Sequence, residues 1–236
     1  MDLKIRRVQL KILERFSTVT KRFALSGGTA LELFYLNHRF SRDLDFFSPK
    51  YDLKEIKNLI SEFSKAINRT IKLESEFITK DMARIQFYTV PVKGAGFPLK
   101  IDFVEDVLFD RPNIRKIKNV PVYDVENIYF QKIVAITGTK LEKDSTGRQE
   151  ITGRREARDV VDVYFLSKKI KPLHLFLKKV SKIQQRGMVQ WYRTFSRQEF
   201  KLEFLNMDIY NRKLTAPQII VYLENEIKKF ITEVIK

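Results

Sequence analysis

Leu25-Ser-Gly-Gly-Thr-Ala-Leu31, followed after a short loop by Ser41-Arg-Asp-Leu-Asp-Phe-Phe47, is the stretch on which the reading of the whole chain turns. The apolar run Phe23-Ala-Leu25 leads into Ser26-Gly27-Gly28-Thr29, and a helical pattern with Leu31, Leu33, Phe34 and Leu36 follows. Strand, glycine turn and helix start together form a geometry in which bare backbone N–H groups can face a phosphate. In Asp43-Leu-Asp-Phe-Phe47 acid and apolar residue alternate at strand period. Both carboxylates then share one face, with Leu44 and Phe46 on the other. Same-face neighbours on a strand lie roughly 6.6 Å apart, a separation at which two carboxylates can hold one or two Mg2+ ions.

The rest of the composition narrows the chemistry. With 236 residues and 44% hydrophobic content the chain can bury a substantial core, as one large domain or two lobes. Lys and Arg total 45 against 29 Asp and Glu, a formal charge of +16, so the field around the chain attracts polyanions such as nucleic acid or nucleotides, although part of such an excess can serve solubility alone. Cysteine is absent and His38 and His174 are the only imidazoles, which excludes disulfides and thiol catalysis and disfavours zinc hydrolysis. Metal chemistry must then rest on carboxylates, which suit Mg2+ or Mn2+. No stretch approaches the roughly 20 apolar residues of a membrane span, and the expectation is a soluble, cytoplasmic protein.

Outward from the opening stretch, residues 3–22 suit an amphipathic helix, and Asp52 is placed to cap a second one running to about Asn68. Strands are expected over 70–79, 82–90 and 97–105, the first two joined as a hairpin through Lys80-Asp81. In the third, Leu99, Ile101 and Phe103 alternate with Lys100, Asp102 and Val104. Asp102 is either an ordinary exposed strand residue or, if its strand neighbours the acidic one, a third carboxylate on the same patch. From Asp124 the pattern turns helical, and Lys132 falls on the apolar face with Val125, Ile128, Tyr129 and Ile136. It either snorkels to solvent along its stem or faces phosphate or carboxylates from the core side. A polar segment, 137–153, precedes a helix over about 154–168, in which Asp159 and Asp162 share a face and Arg158 stands four residues before Asp162. These acids are either site residues or a helix ion pair and a solvated carboxylate. Helices are expected over 173–183, 188–200 and 216–234, and Trp191-Tyr-Arg-Thr-Phe195 is either core or a stacking platform for nucleic acid. Arg39 and Arg42 flank the acids, where they can contact phosphate or simply furnish a surface loop.

Leu25-x-Gly27-Gly28-Thr29-Ala30-Leu31 and Tyr35-Leu36-x-His38-Arg39-x-Ser41-x-Asp43-Leu44-Asp45-Phe46-Phe47 resemble the signature of the AbiEii-like nucleotidyltransferases, toxins of type IV toxin–antitoxin systems within the DNA polymerase β-like superfamily. Lys132-Ile-Val-Ala135 and Arg158-Asp159-Val-Val-Asp162-Val-Tyr164-Phe165-Leu166 resemble later blocks of that family, in the same order. The resemblance implies an α+β fold: a polymerase β-like mixed sheet with flanking helices over residues 1–123, then a helical C-terminal lobe over 124–236. It also implies nucleotidyl transfer from an NTP with Mg2+ or Mn2+, an RNA acceptor such as tRNA, and a cognate antitoxin. By position, Asp43, Asp45 and Asp102 would ligate metal and carry catalysis with Lys132. Gly27, Gly28 and Thr29 would hold the triphosphate, with Arg42 and Lys132 on phosphate and Asp159 or Asp162 contacting the nucleotide or orienting Lys132. A protein or small-molecule acceptor, and a catalytically silent RNA-binding module, stand as alternatives.

Overall fold

The computed structural model describes residues 2–77, 83–138, 142–143, 149–150, 153–154 and 156–234. The expected hairpin turn at Lys80-Asp81 and most of the polar segment after Thr137 lie outside these residues. The chain divides into two compact units, residues 1–35 with 40–127 and residues 36–39 with 128–236.

The first unit opens with α1 (Leu3–Val19), N-capped by Asp2, whose carboxylate accepts from the Lys4 and Ile5 amides at 2.9 and 3.2 Å. Then come β1 (Ala24–Ser26), the short α2 (Gly27–Ala30) and a π-helical continuation over Leu31–Leu36. β2 (Leu44–Ser48) follows, then α3 (Leu53–Ile67), where Asp52 caps the amides of Lys54 and Glu55 as expected. Asn68 ends α3 in the left-handed conformation, φ 51°, a role asparagine tolerates better than most residues. β3 (Lys72–Phe77), β4 (Ile85–Val90) and β5 (Leu99–Glu105) are the three expected strands with trimmed ends. β6 (Ile114–Ile117) and β7 (Val120–Tyr123) form a hairpin in a stretch to which the sequence pattern assigns no element.

These strands make one mixed seven-stranded sheet in the order β3-β4-β5-β2-β1-β7-β6, in which β2 runs parallel to β5 and β1 parallel to β7. The face of β2 and β5 carrying Leu44, Phe46, Ile101 and Phe103 is wholly buried. Helices α1 and α3 close over it, with the Phe16 and Phe63 rings 4.3 and 5.8 Å from that of Phe46. Burial of such aromatic area is the main stabilising contribution here, and the opposite face of the central strands carries Asp45 and Asp102 beside Phe47 and Val104.

The second unit is helical. It holds most of α4 (Val125–Thr137), the two-residue pair β8 (Glu142–Lys143) and β9 (Gln149–Glu150), and α5 (Ala157–Lys169). The span expected as one helix over 173–183 is instead α6 (Leu173–Leu177) and the start of α7 (Lys182–Thr194). The expected 188–200 helix likewise breaks before α8 (Arg197–Leu205), where the Ser196 hydroxyl accepts from the Glu199 amide at 3.2 Å and restarts the turn. α9 (Ala216–Val234) matches its expected span. Trp191 and Phe195 stack at 4.6 Å between centroids and are 4% and 8% exposed, so the core reading holds for this aromatic cluster.

Candidate active site

The glycine turn and the acids meet because β1 and β2 are antiparallel neighbours. Ser26 pairs with Asp45, and on the other side of β2 Asp45 pairs with Asp102 of β5. Register partners point to the same side of a sheet, so Ser26, Asp45 and Asp102 form a row across three strands on the face opposite the aromatic core. Asp43 stands one residue before β2 rather than within the strand. The convergence expected of three carboxylates is thus a register pair, Asp45 and Asp102, with Asp43 on the approach to it.

Gly27 follows the row directly. Its φ is +70°, and a Cβ there would lie 2.2 Å from Asp45 Oδ2. Two independent reasons therefore require glycine: the left-handed backbone and the carboxylate packed against it. Gly27→Ala is expected to cost about 1–2 kcal/mol in backbone strain and to push Asp45 aside. A displacement near 1 Å at a reacting centre lowers turnover about a hundredfold. Thermal melting and a transfer assay on the variant check both effects.

Gly28 and Thr29 are buried in the first turn of α2, and the Thr29 hydroxyl donates to the backbone carbonyl of Asp43. Thr29 is thus tied to the acidic segment through its side chain, leaving its backbone as the group that can face phosphate. Arg42 is exposed, its guanidinium 5.0 Å from the centroid of the Phe97 ring.

Among the described residues, no group of three or more His, Cys, Asp or Glu is placed to hold a metal ion by itself. Magnesium does not require such a cage, since it is commonly bound by one or two carboxylates together with substrate phosphates. Asp45 and Asp102, hard-oxygen donors on adjacent strands about 4.8 Å apart, fit that requirement. A different cavity, of about 460 Å³, opens at the other end of β1 and β2 beside Arg22, Tyr51 and Arg84. Its two arginines are already paired, Arg22 with Asp52 and Arg84 with Glu105.

Lys132, Asp159 and Asp162 come together within the helical unit. The Lys132 ammonium lies 2.7 Å from Asp159 and 2.8 Å from Asp162, and both carboxylates are fully buried. Lys132 thus faces carboxylates from the core side. Neither acid is solvated, and the local Arg158–Asp162 pairing gives way to distant partners, while Arg158 Nε pairs with Glu156. Asp162 receives Arg39 as a two-point fork, Nε to Oδ1 at 2.7 Å and Nη2 to Oδ2 at 2.8 Å. His38 Nε2 adds a third contact to Oδ1 at 2.7 Å. Arg39 is therefore an interior residue of this unit rather than a surface-loop arginine; the family signature includes His38 and Arg39 but names no partner for either.

Burial opposes the charge on Asp162, but Arg39 and Lys132, aided by His38, hold its carboxyl well below the ordinary carboxylate range. Burial likewise disfavours the Lys132 charge, yet Asp159 and Asp162 raise its pKa. For His38 burial wins and its pKa is lowered, so at neutral pH the ring is neutral and Nε2–H donates to Asp162.

Residues 11–216 match the family model described as the nucleotidyl transferase AbiEii toxin of a type IV toxin–antitoxin system. The chain is a nucleotidyltransferase in class. It belongs to the AbiEii toxin family of type IV toxin–antitoxin systems. Among solved structures it is similar to a candidate nucleotidyltransferase from H. pylori, with a TM-score of 0.58 and 21% identity over 98% of this chain and 96% of that one. It is also similar to JHP933 from Helicobacter pylori, with a TM-score of 0.56 and 21% identity over 98% and 94% of the two chains. None of the curated proteins matches the sequence.

Proposed function

We propose that this toxin transfers a nucleotidyl group from an NTP to an RNA hydroxyl, with tRNA as the acceptor, in a reaction that depends on a divalent metal. The observation that carries this reading is the row Asp45–Asp102 beside the positive-φ turn at Gly27: two acids at the start of a helix within one small patch. The +16 charge supports a polyanionic acceptor over an acidic protein.

In this reading the backbone amides of Gly27, Gly28 and Thr29 bind the triphosphate, and Arg42 adds a cation to its rim. Asp43, Asp45 and Asp102 supply oxygen ligands for Mg2+ or Mn2+. A bound divalent ion contributes Lewis-acid stabilisation of the phosphoryl oxygens and lowers the pKa of the attacking hydroxyl. Asp102 accepts the hydroxyl proton as the RNA oxygen forms its bond to the α-phosphorus. The bond from that phosphorus to the bridging oxygen breaks, and pyrophosphate leaves with its electron pair. Lys132 and Asp159 serve within the helical unit, where Asp159 and Asp162 orient the ammonium. No helix among the described residues is long and apolar enough to cross a membrane. The substrates, NTP and tRNA, place the activity in the cytoplasm, where a cognate antitoxin counteracts it.

The test incubates the protein with each α-labelled NTP, Mg2+ and either total tRNA or cell protein, beside an Asp45→Asn control. Label on tRNA that vanishes in the control is the expected result. Label on protein alone would replace the acceptor. No label with any acceptor, together with RNA binding that the control leaves unchanged, would overturn the reading.

A further inference from the structure

Residues 40–43, between the π-helical stretch and β2, belong to no helix or strand, apart from one isolated bridge at Arg39 just before them, and yet their backbone is held at successive points by side chains. Glu32 Oε2 accepts the Ser41 N–H at 2.8 Å. Gln9 Nε2 donates to the carbonyls of Ser41 and Arg42 at 3.0 and 2.8 Å. Thr29 takes the next carbonyl, that of Asp43. Buried loop backbone needs such partners, and here they come from α1 and from the helical turn that begins at Gly27.

Gln9 and Glu32 are 0% and 3% exposed, so each was taken out of water to make these contacts. Both amide donors of Gln9 go to the loop, while its Oε1 is buried with no hydrogen-bond partner among the described residues. A buried carboxamide oriented at the expense of its own acceptor is costly, since a buried polar atom without a partner loses its hydration for nothing in return. Glu32 is oriented just as firmly, with its other oxygen paired to Arg6. The sequence carries a faint signal of this: Glu32 is the single acid inside the apolar run Leu31-Glu-Leu-Phe-Tyr-Leu36.

We infer that Gln9 and Glu32 are positioning residues for the acidic strand, fixing the Ser41 and Arg42 peptides so that Asp43 enters β2 with its carboxylate on the same side as Asp45. This rests on the reading of Asp43 and Asp45 as metal carboxylates. Neither side chain touches substrate; each acts through the backbone that leads into Asp43.

The test uses Gln9→Met and Glu32→Gln, which keep volume while removing the donors of one and the charge of the other. Gln9→Met removes the bare acceptor but also leaves the Ser41 and Arg42 carbonyls without their donor, so a small fall in melting temperature is expected. Hydrogen exchange of metal-free protein, followed on peptides covering 38–47, should be faster in both variants, with peptides of α3 unchanged. Mn2+ titrated in the presence of a non-hydrolysable NTP should bind about tenfold more weakly, the usual scale for loss of a group supporting a metal ligand. Exchange at 38–47 equal to wild type, or raised equally across the chain, would overturn the inference. If wild-type protein binds no Mn2+ with nucleotide, the metal reading itself fails, and the exchange comparison still decides whether these residues hold the segment.

Discussion

Asp45→Asn is expected to lower nucleotidyl transfer by about a thousandfold or more while leaving the fold intact. Metal stabilisation of a phosphoryl oxygen is worth several kcal/mol, and each ~1.4 kcal/mol is a factor of ten in rate. Asparagine keeps the shape but halves the anionic charge of the Asp45–Asp102 pair. The substitution keeps the volume of the side chain and removes one of two like charges on neighbouring strands, so stability is expected to change little. Rate and melting temperature should therefore move independently. A fall in both together would mean that Asp45 holds the fold rather than the substrate.

Asp162→Ala is expected to act the other way, through stability. Removing this carboxylate leaves Arg39 buried without its fork and takes one of two carboxylates from Lys132. Breaking a buried ion pair by deleting one partner costs about 3–5 kcal/mol, a large share of the roughly 5–15 kcal/mol that stabilises a domain. Because the folded pKa of Asp162 is depressed, its contribution is fully present above the unfolded value near ~3.9 and is lost as pH falls toward the folded value. Wild-type protein should therefore lose stability steeply only below about pH 4, while the variant lacks that part of the slope. Trp191, the single tryptophan and a buried member of the helical unit, reports denaturant unfolding of both proteins by fluorescence. Equal midpoints at neutral pH would show that the Asp162 cluster contributes nothing net.

The parts of this molecule that sequence made legible are those encoded over a few residues. Acid–apolar alternation puts Asp45 opposite Leu44 and Phe46 while Asp43 falls just outside the strand, a capping aspartate marks the start of α3, and two glycines mark the turn. The β6–β7 hairpin escaped because its turn, Lys118-Asn119, adopts φ of +50° and +66° without the glycine that usually signals such a turn. Its first strand, Ile114-Arg-Lys-Ile117, is moreover mostly exposed and charged at its centre. The His38 and Arg39 contacts to Asp162 are illegible for another reason. Local rules pair Arg158 with Asp162, whereas His38 and Arg39 lie 124 and 123 residues away and only the fold brings them near. The Gln9 and Glu32 contacts belong to the same class, polar side chains whose partners are backbone groups of a distant loop.

Nucleotidyl rather than phosphoryl transfer at the Asp43–Asp45–Asp102 site is tested most directly by where the label goes. Parallel reactions of the wild-type protein with tRNA receive NTP labelled at either the α- or the γ-phosphate. Attack at the α-phosphorus predicts α label on the RNA, with γ label found only in pyrophosphate and unreacted NTP. Transfer of γ label to the RNA, with none from the α position, would contradict the account.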